Sequence, residues 1–214
     1  MNDLHTFIIN LDKRTDRWEK IQEELKSQGI ENFERFSAIS IDINYADENF
    51  PEFIPGKWSR VGALGCLLSH YYVIKKAKEQ KLDKILILED DTVFINSISL
   101  VNDALEDLKN INWHLLYLSG HHRDPCEKFG EHTVKVKTTL CAQAYIVHSR
   151  SYDFILKNVL TFPREIDVFY TFLQKEFPCF CINPHLTIQA KGYSDIQNKM
   201  VDYTQEREQW NIKL

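Results

Sequence analysis

Apolar positions along the chain keep two rhythms. Thr6-Phe7-Ile8-Ile9-Asn10-Leu11 is a short β-branched and aromatic run, and Trp18, Ile21 and Leu25 follow at helical spacing before Gly29. This predicts a strand leading into a helix that stops at the glycine. Phe33 to Ile39 predicts a second strand. Ile41 to Arg60 is aromatic and Pro-containing without a clean period, which predicts a long loop, the kind of segment that is usually functional or mobile. Ala63, Leu64, Leu67, Leu68, Tyr71, Ile74 and Ala77 restore the helical period and predict an amphipathic helix from about Gly62 to Gln80. Ile85-Leu86-Ile87-Leu88 then shows no alternation, as a strand does when both faces of a parallel sheet are covered.

Further along, Val101, Leu105 and Leu108 mark a helix, and Leu115 to Leu118 a strand ending at Ser119-Gly120. Val134 and Val136 alternate with Lys135 and Lys137 and predict a half-exposed strand, whereas Ala142 to Val147 predicts a more buried one. Ser149 or Ser151 suits the cap of a helix carrying Tyr152, Ile155, Leu156 and Val159. Asp167 to Phe177 predicts one more helix, Cys179 to Ile182 one more strand, and the polar tail from Ser194 a loosely held end. Alternating strands and helices predict a single α/β domain over 1–214, with a mostly parallel central sheet flanked by helices. In such sheets ligands bind beyond the carboxyl ends of the strands.

Composition narrows the classes. A hydrophobic fraction of 43% excludes disorder, and a formal charge of −5 argues against a general nucleic-acid binder. The apolar runs fall far short of the ~20 residues of a membrane-spanning helix. The start Met-Asn-Asp-Leu-His has no basic-then-apolar signal pattern, so a cytoplasmic location is expected, with peripheral membrane attachment compatible. Cys66, Cys126, Cys141, Cys179 and Cys181 are odd in number and form no Cys-x-x-Cys pair, which speaks against a zinc or disulfide framework. Cys179 and Cys181 would share one strand face, as two buried thiols or as a thiolate pair.

The strongest local signal is Glu89-Asp90-Asp91, three acids directly after the central apolar run. An extended chain would turn Glu89 and Asp91 to one side and Asp90 to the other, so two carboxylates could converge on Mg²⁺ or Mn²⁺ together with diphosphate oxygens. The plainer alternative is a solvated acidic turn. After the first strand, Arg14 and Arg17 stand at a helix N-terminus, where cations oppose the dipole unless an anion such as phosphate lies near. Ion pairing with Asp12, Asp16 and Glu19 would also accommodate them. His70, on the apolar face of its helix, fits a satisfied core residue better than a catalyst, and His121-His122, in a loop at another strand end, could touch substrate but fits a solvated pair better. No Gly-x-Gly-x-x-Gly or Walker-type loop occurs, which weakens dehydrogenase and kinase assignments.

Ile8-Ile9-Asn10-Leu11-Asp12 with Arg14 and Arg17, Gly62-Ala63-Leu64-Gly65-Cys66 to Ser69-His70, and Ile87 to Asp91 resemble glycosyltransferase family 25. That family includes lipopolysaccharide glycosyltransferases and procollagen galactosyltransferases. Trp113 to Gly120, Ala144 to Val147, Ile166-Asp167, and Gln189 followed by Ser194-Asp195-Ile196 extend the resemblance, in order, over nearly the whole chain. The resemblance implies a GT-A type, Rossmann-like fold, a UDP-hexose donor with galactose or glucose expected, Mn²⁺ or Mg²⁺ as cofactor, and inversion at the anomeric carbon. The acceptor would be a hydroxyl of a glycan, a lipooligosaccharide or a hydroxylated protein. It implies Asp91 and Glu89 as metal ligands in an Asp-x-Asp-like motif, and Asp167 as the base, with Glu165-Ile166 standing where the family has Pro-Val. Donor contacts are expected from Asn10, Leu11, Arg14, Arg17, Ser69, His70, Glu89, Asp90, Gln189 and Asp195, with His185 in the same late region.

Two other activities share parts of this pattern. A metal-dependent nucleotidyltransferase also places acids after a central strand, and a catalytically silent nucleotide-sugar or glycan-binding module would keep the pocket without the base.

Overall fold

The computed structural model describes residues 4–202. The chain begins with β1 (His5–Asn10), α1 (Thr15–Ser27), β2 (Phe33–Ser37), a short α2 (Ile43–Asn49), α3 (Arg60–Glu79) and β3 (Lys84–Glu89). It continues through β4 (Thr92–Phe94), α4 (Leu100–Asp107), β5 (Leu115–Tyr117), β6 (His121–His122), β7 (Glu127–Lys128), β8 (Thr133–Val136), β9 (Thr139–Leu140) and β10 (Ala144–His148). Then come α5 (Tyr152–Asn158), α6 (Ile166–Glu176), β11 (Cys179–Ile182), β12 (Thr187–Gln189), β13 (Gly192–Ser194) and β14 (Lys199–Val201).

Eight strands form one α/β sheet in the order β2-β1-β3-β10-β5-β11-β8-β7. β1 is parallel to β2 and β3, and β5 is parallel to β11. β10 runs against both β3 and β5, and β8 against β11 and β7, so two strands oppose the common direction of the others. The reversal of β10 follows from its approach. After β7 and β8 the chain returns to β9, which pairs with β6 just past the carboxyl end of β5, and enters β10 from that edge.

Residue parity divides the core. Phe7, Ile9, Ile85, Ile87, Tyr117 and Tyr145 pack with residues of α3, α5 and α6, while Ile8, Leu86, Leu88, Leu116 and Ile146 pack with α1 and α4 on the opposite face. This is why Ile85 to Leu88 lacks alternation: all four side chains are fully buried. Gly29, at φ +68°, ends the first helix as expected. A Cβ on Gly65 would lie 2.6 Å from the Ile39 carbonyl oxygen, so the bare backbone there lets α3 press against the chain leaving β2.

Two stretches differ from the sequence expectation. Ile41 to Arg60 contains α2, whose single buried residue, Ala46, leaves no helical period to detect. Asp42 caps it by accepting from the Tyr45 N–H at 2.8 Å, and Arg60 donates to the Phe50 carbonyl at its far end at 2.7 Å. β8 keeps the expected alternation, with Val134 and Val136 buried, Lys135 half-buried and Lys137 exposed. The tail from Ser194 forms the β13–β14 hairpin, and its remainder past Asp202 lies outside the described residues.

Candidate active site

β1 and β3 are parallel neighbours, so the turns that follow their carboxyl ends lie side by side and their polar groups interlock. β3 ends at Glu89, so Asp90 and Asp91 lie in the turn into β4 and the triplet does not continue as extended strand. Asp90 is buried, accepts from Asn10 Nδ2 at 2.6 Å, and pairs with Arg17 Nη1 at 2.7 Å. Asn10 is oriented by Arg35, whose Nη2 donates to its Oδ1 at 2.6 Å. The same Arg17 nitrogen lies 3.3 Å from Asp91 Oδ2, and Arg17 Nη2 donates to the Tyr193 carbonyl at 2.6 Å. Leu11 contributes its carbonyl, which accepts from the Arg14 N–H at 2.8 Å.

Asp91 is the least compensated acid. Burial, then the charges of Glu89 and Asp90, push its carboxyl up to about 7 against the pull of Arg17 and a hydrogen bond from Gln189. Among the described residues its Oδ1 finds no hydrogen-bond partner. Pairing of β12 with β4 sets Gln189 opposite Thr92, and the Ala190 N–H donates to the Asp91 carbonyl at 2.7 Å. The sequence pattern did not mark Gln143, which is buried at the start of β10, where its carbonyl accepts from the Glu89 N–H at 2.7 Å. Its Oε1, like Asp91 Oδ1, has no partner among the described residues. A polar residue inside the apolar Ala142 to Val147 run was the available signal.

Glu89 turns toward α3. His70 Nε2 lies 3.2 Å from Glu89 Oε1, His70 Nδ1 lies 2.8 Å from the Tyr145 hydroxyl, and that hydroxyl lies 2.8 Å from Tyr170 Oη. With the imidazole proton on Nε2, every group in this chain has a partner: Tyr170 donates to Tyr145, Tyr145 to His70, and His70 to Glu89. Cys66 Sγ approaches the same Glu89 oxygen at 3.7 Å, and burial followed by the charge of Glu89 raises its thiol well above the ordinary range. Ser69 is fully buried on α3, donates to the Gly65 carbonyl at 2.7 Å and accepts from the Ile39 N–H at 2.8 Å, so it joins α3 to the chain after β2 and has no free group facing the acids.

Asp167 lies at the first turn of α6, where its oxygens accept from the Cys141 N–H at 3.2 Å and the Val168 N–H at 2.8 Å. Burial raises its carboxyl, those two bonds oppose the rise, and the charges of Glu165 and Glu89 add to it. Burial, together with the charges of Glu89, Asp91 and Asp167, raises the thiols of Cys66 and Cys141, which contact Glu89 and Asp167 respectively through the Cys66 sulfur and the Cys141 N–H. On the solvent side, Arg14 Nη1 and Lys13 Nζ hold Asp195 at 2.7 and 2.9 Å. Burial alone would raise the Asp195 carboxyl, but these two cations bring it below its ordinary value. Arg14 also grips Asp16 through two nitrogens, which lowers that carboxyl to about 2. The Ser59 N–H donates to the Ile196 carbonyl at 2.9 Å, completing a strap from Tyr193 to Ile196 across the site.

The structure thus joins Asn10, Arg17, Asp90 and Asp91 directly, and links Arg14 with Asp195 and His70 with Glu89. Asp91 is a carboxylate whose Oδ1 has no partner among the described residues, a donor that suits a hard divalent cation, while Glu89 turns its oxygen toward Cys66 and His70. Among the described residues no helix is long and apolar enough to cross a membrane.

The chain is similar to known glycosyltransferases. A procollagen lysyl hydroxylase and glycosyltransferase of Acanthamoeba polyphaga mimivirus is 32% identical over 165 residues, covering 66% of this chain and 18% of its own length. Human procollagen galactosyltransferase 2 is 29% identical over 132 residues, covering 52% of this chain and 20% of its own length. The chain therefore matches about a fifth of each of these longer relatives. A solved glycosyltransferase involved in glycosylation of the major capsid of PBCV-1 shares the fold, with a TM-score of 0.50 at 16% identity over 85% of this chain and 81% of that one. Residues 3–170 match the family described as Glycosyltransferase family 25 (LPS biosynthesis protein), and the chain belongs to that family.

Proposed function

We propose that the chain is a metal-dependent, inverting glycosyltransferase that moves a hexose from a UDP-sugar to a hydroxyl of a glycan, a lipooligosaccharide or a hydroxylated protein. Galactose is the favoured hexose, since procollagen galactosyltransferases are among the relatives. The observation that carries the reading is Asp91: a largely buried carboxyl with a partnerless oxygen, near Glu89 and Asp90, at the sheet edge where α/β folds hold ligands. Bound to Asp91 and Glu89, Mn²⁺ or Mg²⁺ would offset the charge that develops on the departing diphosphate.

The chain's own groups have separate tasks. Arg17 holds Asp90 and Asp91 in register and offers a cation to the diphosphate, while Arg14 does the same from the solvent side with Asp195 as its counter-ion. Asn10 fixes Asp90, and Gln189 fixes Asp91. His70 orients Glu89. Asp167 takes the proton from the acceptor hydroxyl, a role helped by the burial that lifts its carboxyl above the ordinary range.

A screen of nucleotide sugars for UDP release, with Mn²⁺ and with chelator, tests this. Metal-dependent release of UDP supports transferase chemistry. Nucleoside monophosphate would make the chain a nucleotidyltransferase, and no release with retained nucleotide binding would make it a silent binding module.

A further inference from the structure

A second group of metal-binding side chains lies at the same edge of the sheet, beyond the ends of β5 and β11. Each member comes from a different piece of chain: His122 from β6, Cys181 from β11, and His185 from the connection between β11 and β12. His122 Nε2 and His185 Nε2 face one another at 3.0 Å, and the Cys181 sulfur and a ring nitrogen of each histidine all lie within 4.8 Å of one another. His122 Nδ1 lies 2.7 Å from Thr139 Oγ1. When that nitrogen donates its proton to the threonine oxygen, Nε2 presents a lone pair toward His185. Hydrogen bonding of the outer nitrogen is how metal-ligating imidazoles are ordinarily held. From the other side, His185 is fixed through its carbonyl, which accepts from Asn96 Nδ2 at 2.7 Å.

We infer that His122, Cys181 and His185 form a binding site for a thiophilic divalent cation of the zinc class, distinct from the acidic site at Asp91. Two nitrogens bound tetrahedrally at zinc distances stand about 3.3 Å apart, close to the spacing already present between these imidazoles. The donor set is nitrogen and sulfur with no carboxylate among its three members, which selects zinc over magnesium or manganese. Burial keeps all three groups neutral, lowering His122 to about 3 and His185 to about 4 and raising the Cys181 thiol well above its ordinary range. The buried Cys181 thiol gives its proton to solvent as the metal–sulfur bond forms, so binding releases one proton for that ligand. Three protein ligands leave a fourth position for water or another donor. An occupied site would tie the β6–β9 excursion to the segment that carries Gln189.

Cobalt titration of the whole, chelator-stripped chain tests the site. One equivalent of Co²⁺ should give a tetrahedral spectrum with a thiolate-to-cobalt charge-transfer band, Zn²⁺ should displace it, and Zn²⁺ should raise the melting temperature. Cys181→Ser should remove the band. His122→Gln, at a half-buried position, should weaken Zn²⁺ binding at least about tenfold and serves where the core cysteine variant folds poorly. Asp91→Asn should leave the band in place. Absence of the band, its persistence in His122→Gln with unchanged affinity, or its loss in Asp91→Asn would overturn the assignment.

Discussion

The two polar clusters at the carboxyl edge of the sheet solve opposite electrostatic problems. Around Asp91 the groups are charged, and acids crowd together with Arg17 as the shared counter-ion. Around His122 the groups are neutral, dehydrated imidazoles and a buried thiol, held by a threonine and by one another. The first arrangement stores repulsion that a hard cation and an anionic substrate can relieve, and the second gathers uncharged nitrogen and sulfur donors. One sheet edge therefore separates oxygen chemistry from nitrogen and sulfur chemistry within a short stretch of surface.

The largest expected effect comes from the acidic cluster. Asp91→Asn should lower UDP release by about a thousandfold, roughly 4 kcal/mol of transition-state stabilisation, because the leaving diphosphate loses its metal support. The folded state should survive, since the change removes a buried charge that burial and Glu89 already disfavour. Turnover assays beside thermal melts check both halves, and undiminished turnover would end the metal assignment. Asp167→Asn should bind UDP and Mn²⁺ as before but transfer sugar about a hundredfold more slowly, the usual worth of a positioned base. An equal loss of nucleotide affinity would make Asp167 a donor-binding residue instead.

Much of this contrast could be read from the sequence on the acidic side and little of it on the other. Glu89 to Asp91 are consecutive and follow a run buried on both faces, so their place at the end of a central strand is encoded locally. Arg17 and Asp90 were separately suspected; their pairing across 73 positions depends on β1 lying beside β3. His122 and His185 are 63 positions apart and meet only because β5 and β11 are neighbours with no helix between their ends. Residue spacing carries no trace of that. The expectation of a solvated His121-His122 pair accordingly fails, as His122 pairs with His185 and Thr139 in a half-buried setting. The reversal of β10 was equally hidden, since buried strands look alike in either direction.

Scaffold changes should show the reverse of the Asp91 pattern, with stability lost and chemistry kept in the surviving folded fraction. Gly65→Ala forces a methyl group to within 2.6 Å of the Ile39 carbonyl, which is backbone and cannot swing aside. A loss of about 2 kcal/mol is expected, in the range of overpacked cores. Denaturant midpoints measure it, and a change under about 0.5 kcal/mol would show that α3 and the chain after β2 have room to separate.

The smallest effect concerns a neutral histidine away from both clusters. His114 is buried, stacks on Phe177 with ring centroids 4.2 Å apart, and lies 3.0 Å from Ser151 Oγ through its Nδ1. Burial, with Arg150 and His148 adding to it, lowers its pKa from 6.5 to about 4. Above 6.5 the ring is neutral in both folded and unfolded chains, so His114 adds no pH dependence there. Below that value the unfolded chain binds the proton more readily, and stability falls until the pH reaches about 4, where the folded ring also charges. A decline of about 1 to 2 kcal/mol over that window is expected after allowing for the partial exposure of the ring to solvent. His114→Gln, which keeps a side-chain amide near Ser151 but cannot take up a proton, should flatten the decline by that amount. Denaturant melts of both chains at several acidic pH values measure the difference, and parallel curves would show that other groups govern the acid limb.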